Sequence, residues 1–182
     1  MAARIAADPA IQATQAWLEK AVIGLNLCPF AKAVHLKRQI RWVVSAANDE
    51  DTLRIELMHE LELLRDAPPD QIDTTLLIHP FVLGDFHEYN NFLDVADATV
   101  VQLGLEGEIQ IASFHPAYRF GDTAADDIEN FSNRSPFPTL HLLRESSIAK
   151  AVAVFPDAAD IYERNIETLR RLGHAGWHQL WV

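Results

Sequence analysis

Hydrophobic positions along the chain alternate between helical spacing and the denser pattern of strands. Helical periodicity, with suitable capping residues, covers about 9–25, 29–36, 49–67, 86–103, 136–152 and 157–173. Three shorter segments, 39–46, 74–78 and 108–114, are rich in β-branched and aromatic residues, which predicts strands. The tail 177–182 is apolar and is a candidate edge strand.

Polar residues and prolines mark the predicted helix boundaries. Asp8 followed by Pro9 has the composition of a helix start, and Asp85 is predicted to cap the helix that follows it. Pro156-Asp157 is predicted to begin the last helix, which ends at Gly173.

The order strand, helix, strand, helix, strand is typical of parallel crossover connections. We therefore predict an α/β fold for residues 1–182: a single layered domain with a small, mostly parallel sheet of about three core strands, covered by helices. The segment 74–78 (TTLLI) is continuously apolar, as expected of a central strand covered on both faces. An α+β fold with an antiparallel edge strand is the alternative.

Composition narrows the possible partners. The chain has 182 residues, of which 49% are hydrophobic, and no segment has the ~18 continuous apolar residues of a membrane span. One cysteine excludes an internal disulfide and favours a reducing, cytoplasmic location. The net charge of −11 repels nucleic acid and anionic membranes, so we expect neither as a partner.

The stretch 114–145 is the most plausible location of a functional site. It is long for a connection in a compact domain, and its aromatic residues argue against disorder. It concentrates polar side chains that are costly to order unless they are used. Those that we expect to bind substrate are Tyr118, Arg119, Asn133, Arg134, Ser135, His141 and Arg144.

Two predicted strands end in the same dipeptide, His79-Pro80 and His115-Pro116. Ligands of open α/β sheets bind beyond the carboxyl ends of the strands, so these histidines are catalytic candidates if the strands lie side by side. The alternative is that both imidazoles only cap strand ends through hydrogen bonds to the backbone.

The sequence around Ser135 resembles a helix entry. Ser135 would cap the predicted helix 136–152, whose free amides and dipole would attract an anion. Arg134 would add a planar fork for phosphate or carboxylate, and His141 and Arg144 would share part of one helix face. Ordinary capping with a surface ion pair is the alternative.

Cys28 precedes Pro29 at another predicted helix start, inside a stretch (21–48) that has no Asp or Glu. This stretch contains Lys32, Lys37, Arg38 and Arg41, which form either a solvated basic face or an anion-attracting wall. Such surroundings lower the pKa of a thiol and favour a nucleophile with His79 or His115 in reach. The alternative is a small buried residue.

A metal site would use some of the same residues, namely His79, Asp85, His87, Glu88 and His115. The chain lacks HExxH and paired-cysteine spacing, and it also lacks the GxGxxG, GxxxxGK[ST] and GxSxG motifs. Readily recognised nucleotide loops and serine-hydrolase elbows are therefore excluded, and no cofactor is indicated.

Three motifs together carry a family resemblance: GLNLCPFA (24–31), FHPAYRF (114–120) and NRSPFPTLHLLRE (133–145). Over nearly its whole length the chain resembles a bacterial domain-of-unknown-function family, number fourteen-fifteen. The resemblance implies a single-domain cytoplasmic protein, and it implies no activity, cofactor or catalytic residue.

Three hypotheses follow. The first is a small enzyme acting on a phosphate- or carboxylate-bearing metabolite, with His115 as general acid or base, His79 assisting and Cys28 as a possible nucleophile. The second is a non-catalytic ligand-sensing or protein-binding module that uses the same crevice. The third is a metal-dependent enzyme with His and Asp ligands.

Overall fold

Four strands form one mixed sheet in the computed structural model, which describes residues 8–154 and 160–182. The strands are β1 Ile40–Val44, β2 Thr74–Ile78, β3 Ile109–Phe114 and β4 Thr139–Arg144. Their order in the sheet is β1-β2-β4-β3. β1 and β2 pair in parallel, whereas β4 is antiparallel to both β2 and β3. The α/β class is confirmed, but the sheet is mixed and has four strands rather than a mostly parallel three.

The helices precede, connect and follow these strands. They are α1 Pro9–Trp17, continued by a π-helical segment Leu18–Ile23, then α2 Ala31–Leu36, α3 Glu50–Asp66, α4 Phe86–Gln102, a 3-10 segment Ile128–Asn133, α5 Glu145–Val154 and α6 Ile161–Gln179. The predicted caps are confirmed, because the carboxylates of Asp8 and Asp85 accept hydrogen bonds from the first amides of α1 and α4. No helix in the described ranges combines the length and apolarity needed to cross a membrane.

β4 corrects the largest error in the sequence prediction. Residues 139–144 were expected inside a helix from 136 to 152, but they form a strand, and a helix begins only at Glu145. Strand geometry is favoured because β4 fills the space between β2 and β3 and hydrogen-bonds to both. This tertiary pairing outweighs the local helical spacing of the leucines. The antiparallel strand is therefore internal, not at an edge.

The C-terminal segment is helical, so the prediction of an edge strand at 177–182 is wrong. α6 extends to Gln179, and Trp177 is buried, with its ring against that of Phe131 in the 3-10 segment. Gly173, predicted to end the helix, has a left-handed φ of 65° and kinks it instead. The predicted helix start at Pro156-Asp157 lies outside the described residues.

Each face of the sheet has its own apolar core. On the front face, α3 and α4 pack on Leu77, Leu140 and Leu142. The leucines that recur at helical spacing in α3 are fully buried, namely Leu53, Leu57, Leu61 and Leu64. Each such leucine contributes roughly 1.5–3 kcal/mol. On the rear face, α1 packs on Phe114 through Trp17, in a cluster that also includes Trp42 and residues of α6. These two faces separate the candidate site residues.

Candidate functional site

His79 and His115 lie at the same edge of the sheet, on the front face. β2 and β3 run in the same direction but are not neighbours, because β4 lies between them. The ring of Tyr89 from α4 bridges the gap, with centroids 5.8 Å from His79 and 4.9 Å from His115. The two imidazoles thus flank one tyrosine.

Both imidazoles fasten the loop that follows β2. Nδ1 of His79 donates to the carbonyl oxygen of Val82, and Nε2 of His115 donates to that of Leu83, each at 3.1 Å. Nδ1 of His115 accepts from the amide of Ala117 at 3.0 Å, which sets its neutral tautomer. His79 is 0% and His115 is 1% exposed to solvent. These contacts are the backbone hydrogen bonds expected if both histidines only cap the strand ends.

Burial has a clear electrostatic effect on this pair. Desolvation lowers the pKa of His79 to about 4, and it also lowers the pKa of His115. Nε2 of His79 has no hydrogen-bond partner among the described residues and is sealed from solvent. The pair is therefore uncharged at neutral pH and closed to a substrate in this conformation.

Tyr89 was missed as a site residue, because the sequence placed it only on a helix stripe. Its hydroxyl donates to the carbonyl oxygen of Thr139 at 2.9 Å and accepts from the amide of Phe114 at 3.1 Å. Burial raises its pKa. Tyr89 thus ties the ends of β3 and β4 to α4, a role that local sequence does not signal.

The two arginines expected to hold an anion are engaged elsewhere. Arg144 donates to the carbonyl oxygens of Leu64, Ala67 and Ile72, where it caps the end of α3. Arg134 donates to the carbonyl oxygens of Tyr118 and Ala125, and its guanidinium carbon lies 4.2 Å from the ring centroid of Phe131. They do not form a shared anion site.

The remaining predicted site residues of the long loop stabilise the conformation of the loop and its attachment to β3. The prediction that Ser135 begins a helix is wrong. Its hydroxyl instead donates to the carbonyl oxygen of Phe137. The side-chain amide of Asn133 donates to the carbonyl oxygen of Ser113, and Arg119 donates to that of Thr123. The ring of Tyr118 packs against Phe86 and Phe120.

Cys28 lies in the rear cluster, on the opposite face of the sheet from His79 and His115. The expected lowering of its pKa is wrong: burial raises the pKa, and the amides of Phe30 and Ala31 offset this only in part. Of the basic residues around it, Arg41 pairs with Glu60 at 2.6 Å, while Lys32, Lys37 and Arg38 are exposed. The solvated-face interpretation fits this segment.

His141 faces the rear from the internal strand β4. The single hydroxyl proton of Thr74 is donated to the carbonyl oxygen of Leu142 at 2.6 Å, so Thr74 Oγ1 must accept from Nε2 of His141 at 2.7 Å. Nδ1 consequently carries a lone pair. Burial lowers the pKa of His141 to about 4, so the ring is neutral at pH 7.

His141 belongs to a row of register-paired residues that crosses the sheet. Strand register places Trp42, Leu76, His141 and Ala112 side by side across the sheet, and Phe114 follows in the next row. We call this set the rear row. His141 is only partly buried, and Trp42, Ala112 and Phe114 are also partly exposed to solvent. His141 Nδ1 has no partner among the described residues and is not sealed from solvent.

The predicted metal ligands do not assemble. Asp85 accepts from the amides of His87 and Glu88 as a helix cap, and His79 and His115 each donate to a carbonyl oxygen. In the parts of the chain that the structure describes, no three His, Cys, Asp or Glu side chains form a group able to hold a metal ion.

Comparison with protein families gave a match over most of the chain. The family model described as "Protein of unknown function (DUF1415)" covers residues 9–179. Comparisons with curated proteins and with solved structures gave no match.

Proposed function

Because the chain belongs to the DUF1415 family of proteins of unknown function, no activity comes with the family, and we propose a function from the geometry. The protein is a small enzyme that performs acid–base chemistry at His141. The observation that carries this proposal is the bond between His141 Nε2 and Thr74 Oγ1, which leaves Nδ1 free in the rear row.

His141 has the properties of a positioned base. Its ring is anchored by a 2.7 Å hydrogen bond to a threonine whose own proton is already committed, so the tautomer is defined. Desolvation lowers its pKa to about 4, so Nδ1 is unprotonated and available at neutral pH, and it is a weaker base than an exposed imidazole. A general base needs a free lone pair within reach of a substrate proton. His79 and His115 fit this role less well, because their surroundings are closed.

The proposal does not rely on anion binding. Arg134 and Arg144, the two expected anion ligands, donate to main-chain oxygens. Cys28 belongs to the same rear layer as His141, and burial keeps its thiol protonated. We assign it no nucleophilic step. A reducing cytoplasm, where a lone thiol stays reduced, is the location that we propose for this enzyme.

Turnover tests the proposal. Wild-type protein and the His141→Gln variant are incubated with a fractionated bacterial metabolite extract, and mass spectrometry follows the loss of each compound. We expect wild type to consume at least one compound and His141→Gln to do so at least about 100-fold more slowly, the usual contribution of a general base. His59→Gln, which changes an exposed histidine of α3, is the matched control. Equal consumption by wild type and His141→Gln, or no consumption by wild type, would contradict the proposal.

A binding module is the second candidate, and one surface favours it. The loop fastened by His79 and His115 presents Phe81, which is 68% exposed. Phe81 borders an open depression of about 550 Å³. The acidic residues of this depression are Asp49, Glu50, Asp51 and Glu88. Carboxylates beside an aromatic ring suit a cationic partner.

An arginine-rich peptide probes this second candidate by calorimetric titration. We expect Phe81→Ser to weaken binding about threefold or more. Ile55→Ser, which removes an equally exposed apolar side chain from α3, is expected to have no effect. If both variants bind as wild type does, the surface around Phe81 is not the binding site.

A further inference from the structure

An exposed apolar side chain lies among carboxylates at one edge of the sheet. Phe81 is 68% exposed and borders the depression of about 550 Å³, which is also lined by four exposed acidic residues, Asp49, Glu50, Asp51 and Glu88. We call these five residues the acidic surface. No salt bridge within the described part of the chain uses any of its carboxylates, and Phe81 belongs to no apolar cluster there. The acidic surface therefore has a negative field and an exposed ring that the chain itself does not use.

A surface of the same kind but of opposite charge lies at α2. Leu36 is 70% exposed, and Lys32 lies one helical turn before it, on the same face. Lys37 and Arg38 follow directly, and all three basic residues are exposed. We call Leu36 and these three residues the basic surface. None of the three forms a salt bridge in the described ranges, and the segment 21–48 has no Asp or Glu that would cancel their charge locally.

The two surfaces lie at opposite edges of the sheet. Lys37 and Arg38 come just before β1. At the same edge, the side-chain amide of Gln39 donates to the carbonyl oxygens of Pro69 and Asp70, which precede β2. The acidic surface instead follows the ends of β1 and β2, which are parallel, so the length of a five-residue strand, roughly 17 Å, separates the two surfaces. One copy of the chain can therefore present its basic surface to a second copy while its own acidic surface stays free.

Charge decides which face of a second copy fits the acidic surface. Two acidic surfaces face to face would bring like charges together, which is unfavourable. The net charge of −11 also makes copies repel one another over most of their surface. The basic surface reverses this repulsion locally, because the methylene stems of its lysines can cover the ring of Phe81 while their ammonium groups reach the carboxylates. Contact between two different surfaces of the same chain is head-to-tail.

We infer that the acidic surface binds the basic surface of a second copy of this chain, with Leu36 of one copy packed against Phe81 of the next. The inference rests on the second candidate function, the binding module, since it names the partner of the surface around Phe81, and it does not depend on catalysis at His141. Each copy uses both surfaces, so the contact propagates into open chains or closes into a ring. An interface built around one ring and one leucine belongs to the weak, transient class, so assembly rises with protein concentration.

Mixing two variants tests the head-to-tail contact. In analytical ultracentrifugation, the average mass of wild type should rise above that of the monomer as the protein concentration increases to about 1 mM. Leu36→Ser keeps only the acidic surface and Phe81→Ser keeps only the basic surface, so each variant alone should associate at least about tenfold more weakly. An equimolar mixture of the two has one intact pair of surfaces and should form dimers with wild-type affinity and nothing larger.

Two further variants separate this contact from general stickiness. Val101→Ser removes an exposed apolar side chain of α4 outside both surfaces and should assemble as wild type does. Lys37→Glu keeps both apolar side chains but reverses one charge, and it should weaken assembly about tenfold. Circular dichroism checks that every variant is folded. A wild type that stays monomeric, a mixture that forms no dimers, or wild-type assembly by Leu36→Ser, Phe81→Ser or Lys37→Glu overturns the inference.

Failure of this inference is distinguishable from failure of the binding module. If the arginine-rich peptide binds wild type and Phe81→Ser weakens that binding, while the mixed variants stay monomeric, the partner is another cationic protein and the binding module stands. If the mixture forms dimers while the peptide does not bind, the contact between copies stands and a general preference for cationic peptides is wrong.

Discussion

His141 and Thr74 form a hydrogen bond across β4 and β2 that defines the tautomer of His141. The bond runs from Nε2 of His141 to Oγ1 of Thr74, at 2.7 Å. Thr74 is buried and passes its own proton to the carbonyl oxygen of Leu142. The two residues are 67 positions apart in the chain, so only the sheet brings them together.

The first prediction concerns Thr74 itself. Thr74→Val removes the acceptor of the His141 Nε2–H and leaves that donor unsatisfied, so we expect the free energy of unfolding to fall by about 1–3 kcal/mol. Urea denaturation measures it. Thr75→Val is the matched control, because the buried hydroxyl of Thr75 has no partner among the described residues and its removal should not destabilise. Equal losses for the two variants would show that the bond is unimportant.

The second prediction concerns the end of α3. Arg144→Met removes the donors to the carbonyl oxygens of Leu64, Ala67 and Ile72, and we expect a loss of about 2–4 kcal/mol. Faster amide exchange in the last turn of α3 should accompany it. Arg65→Met, which breaks only a solvent-exposed pair with Asp66, should cost much less stability than Arg144→Met. A similar cost for both arginines would refute this role for Arg144.

The third prediction concerns stability as a function of pH. The folded-state pKa values of His79 and His141 are about 4, below the unfolded value of 6.5. The unfolded chain therefore binds more protons below pH 6.5, and stability is complete above pH 6.5 and lost as the pH falls towards 4. Each histidine accounts for up to about 3 kcal/mol of this loss.

Urea denaturation from pH 7.5 to 4.5 checks this dependence. His79→Asn and His141→Asn should each flatten the acid limb relative to wild type, whereas His59→Asn, at an exposed position, should leave it unchanged. An acid limb that keeps its wild-type slope in both buried-site variants would contradict the lowered pKa values.

The fourth prediction concerns the hydroxyl that ties α4 to the sheet. Tyr89→Phe leaves the amide of Phe114 and the carbonyl oxygen of Thr139 without that partner, so we expect a loss of about 1–3 kcal/mol. Thermal unfolding by calorimetry measures it. Tyr162→Phe, at a largely exposed position, is the control and should be neutral.

The fifth prediction concerns the reactivity of Cys28. Because burial raises the pKa of its thiol, iodoacetamide should label native protein at pH 6.5 more slowly than it labels the same chain in urea. Mass spectrometry of timed samples gives both rates. Labelling of the native protein at or above the rate in urea would show an activated thiolate.

Local sequence signals located most elements. Asp8 and Asp85 cap helices where a polar residue precedes a helical pattern, and β2 occupies the predicted 74–78 segment. The segment 139–144 was assigned to a helix, because its leucines also suit helical spacing. Because of that error, Ser135 was predicted to cap a helix, and His141 and Arg144 were predicted to share one face of that helix. In a strand, His141 and Arg144 project to opposite faces, since their separation is odd.

The amino-acid sequence by itself determined the α/β class, the capped helices and three of the four strands. These features follow from short-range spacing and capping, which act within a few residues of the chain. Tertiary structure alone decided that β4 lies inside the sheet, that Arg144 caps α3, and that His141 meets Thr74 while Cys28 lies across the sheet from His79. Such outcomes depend on which strands pair, and pairing is chosen by the packing of the whole fold rather than by any local pattern.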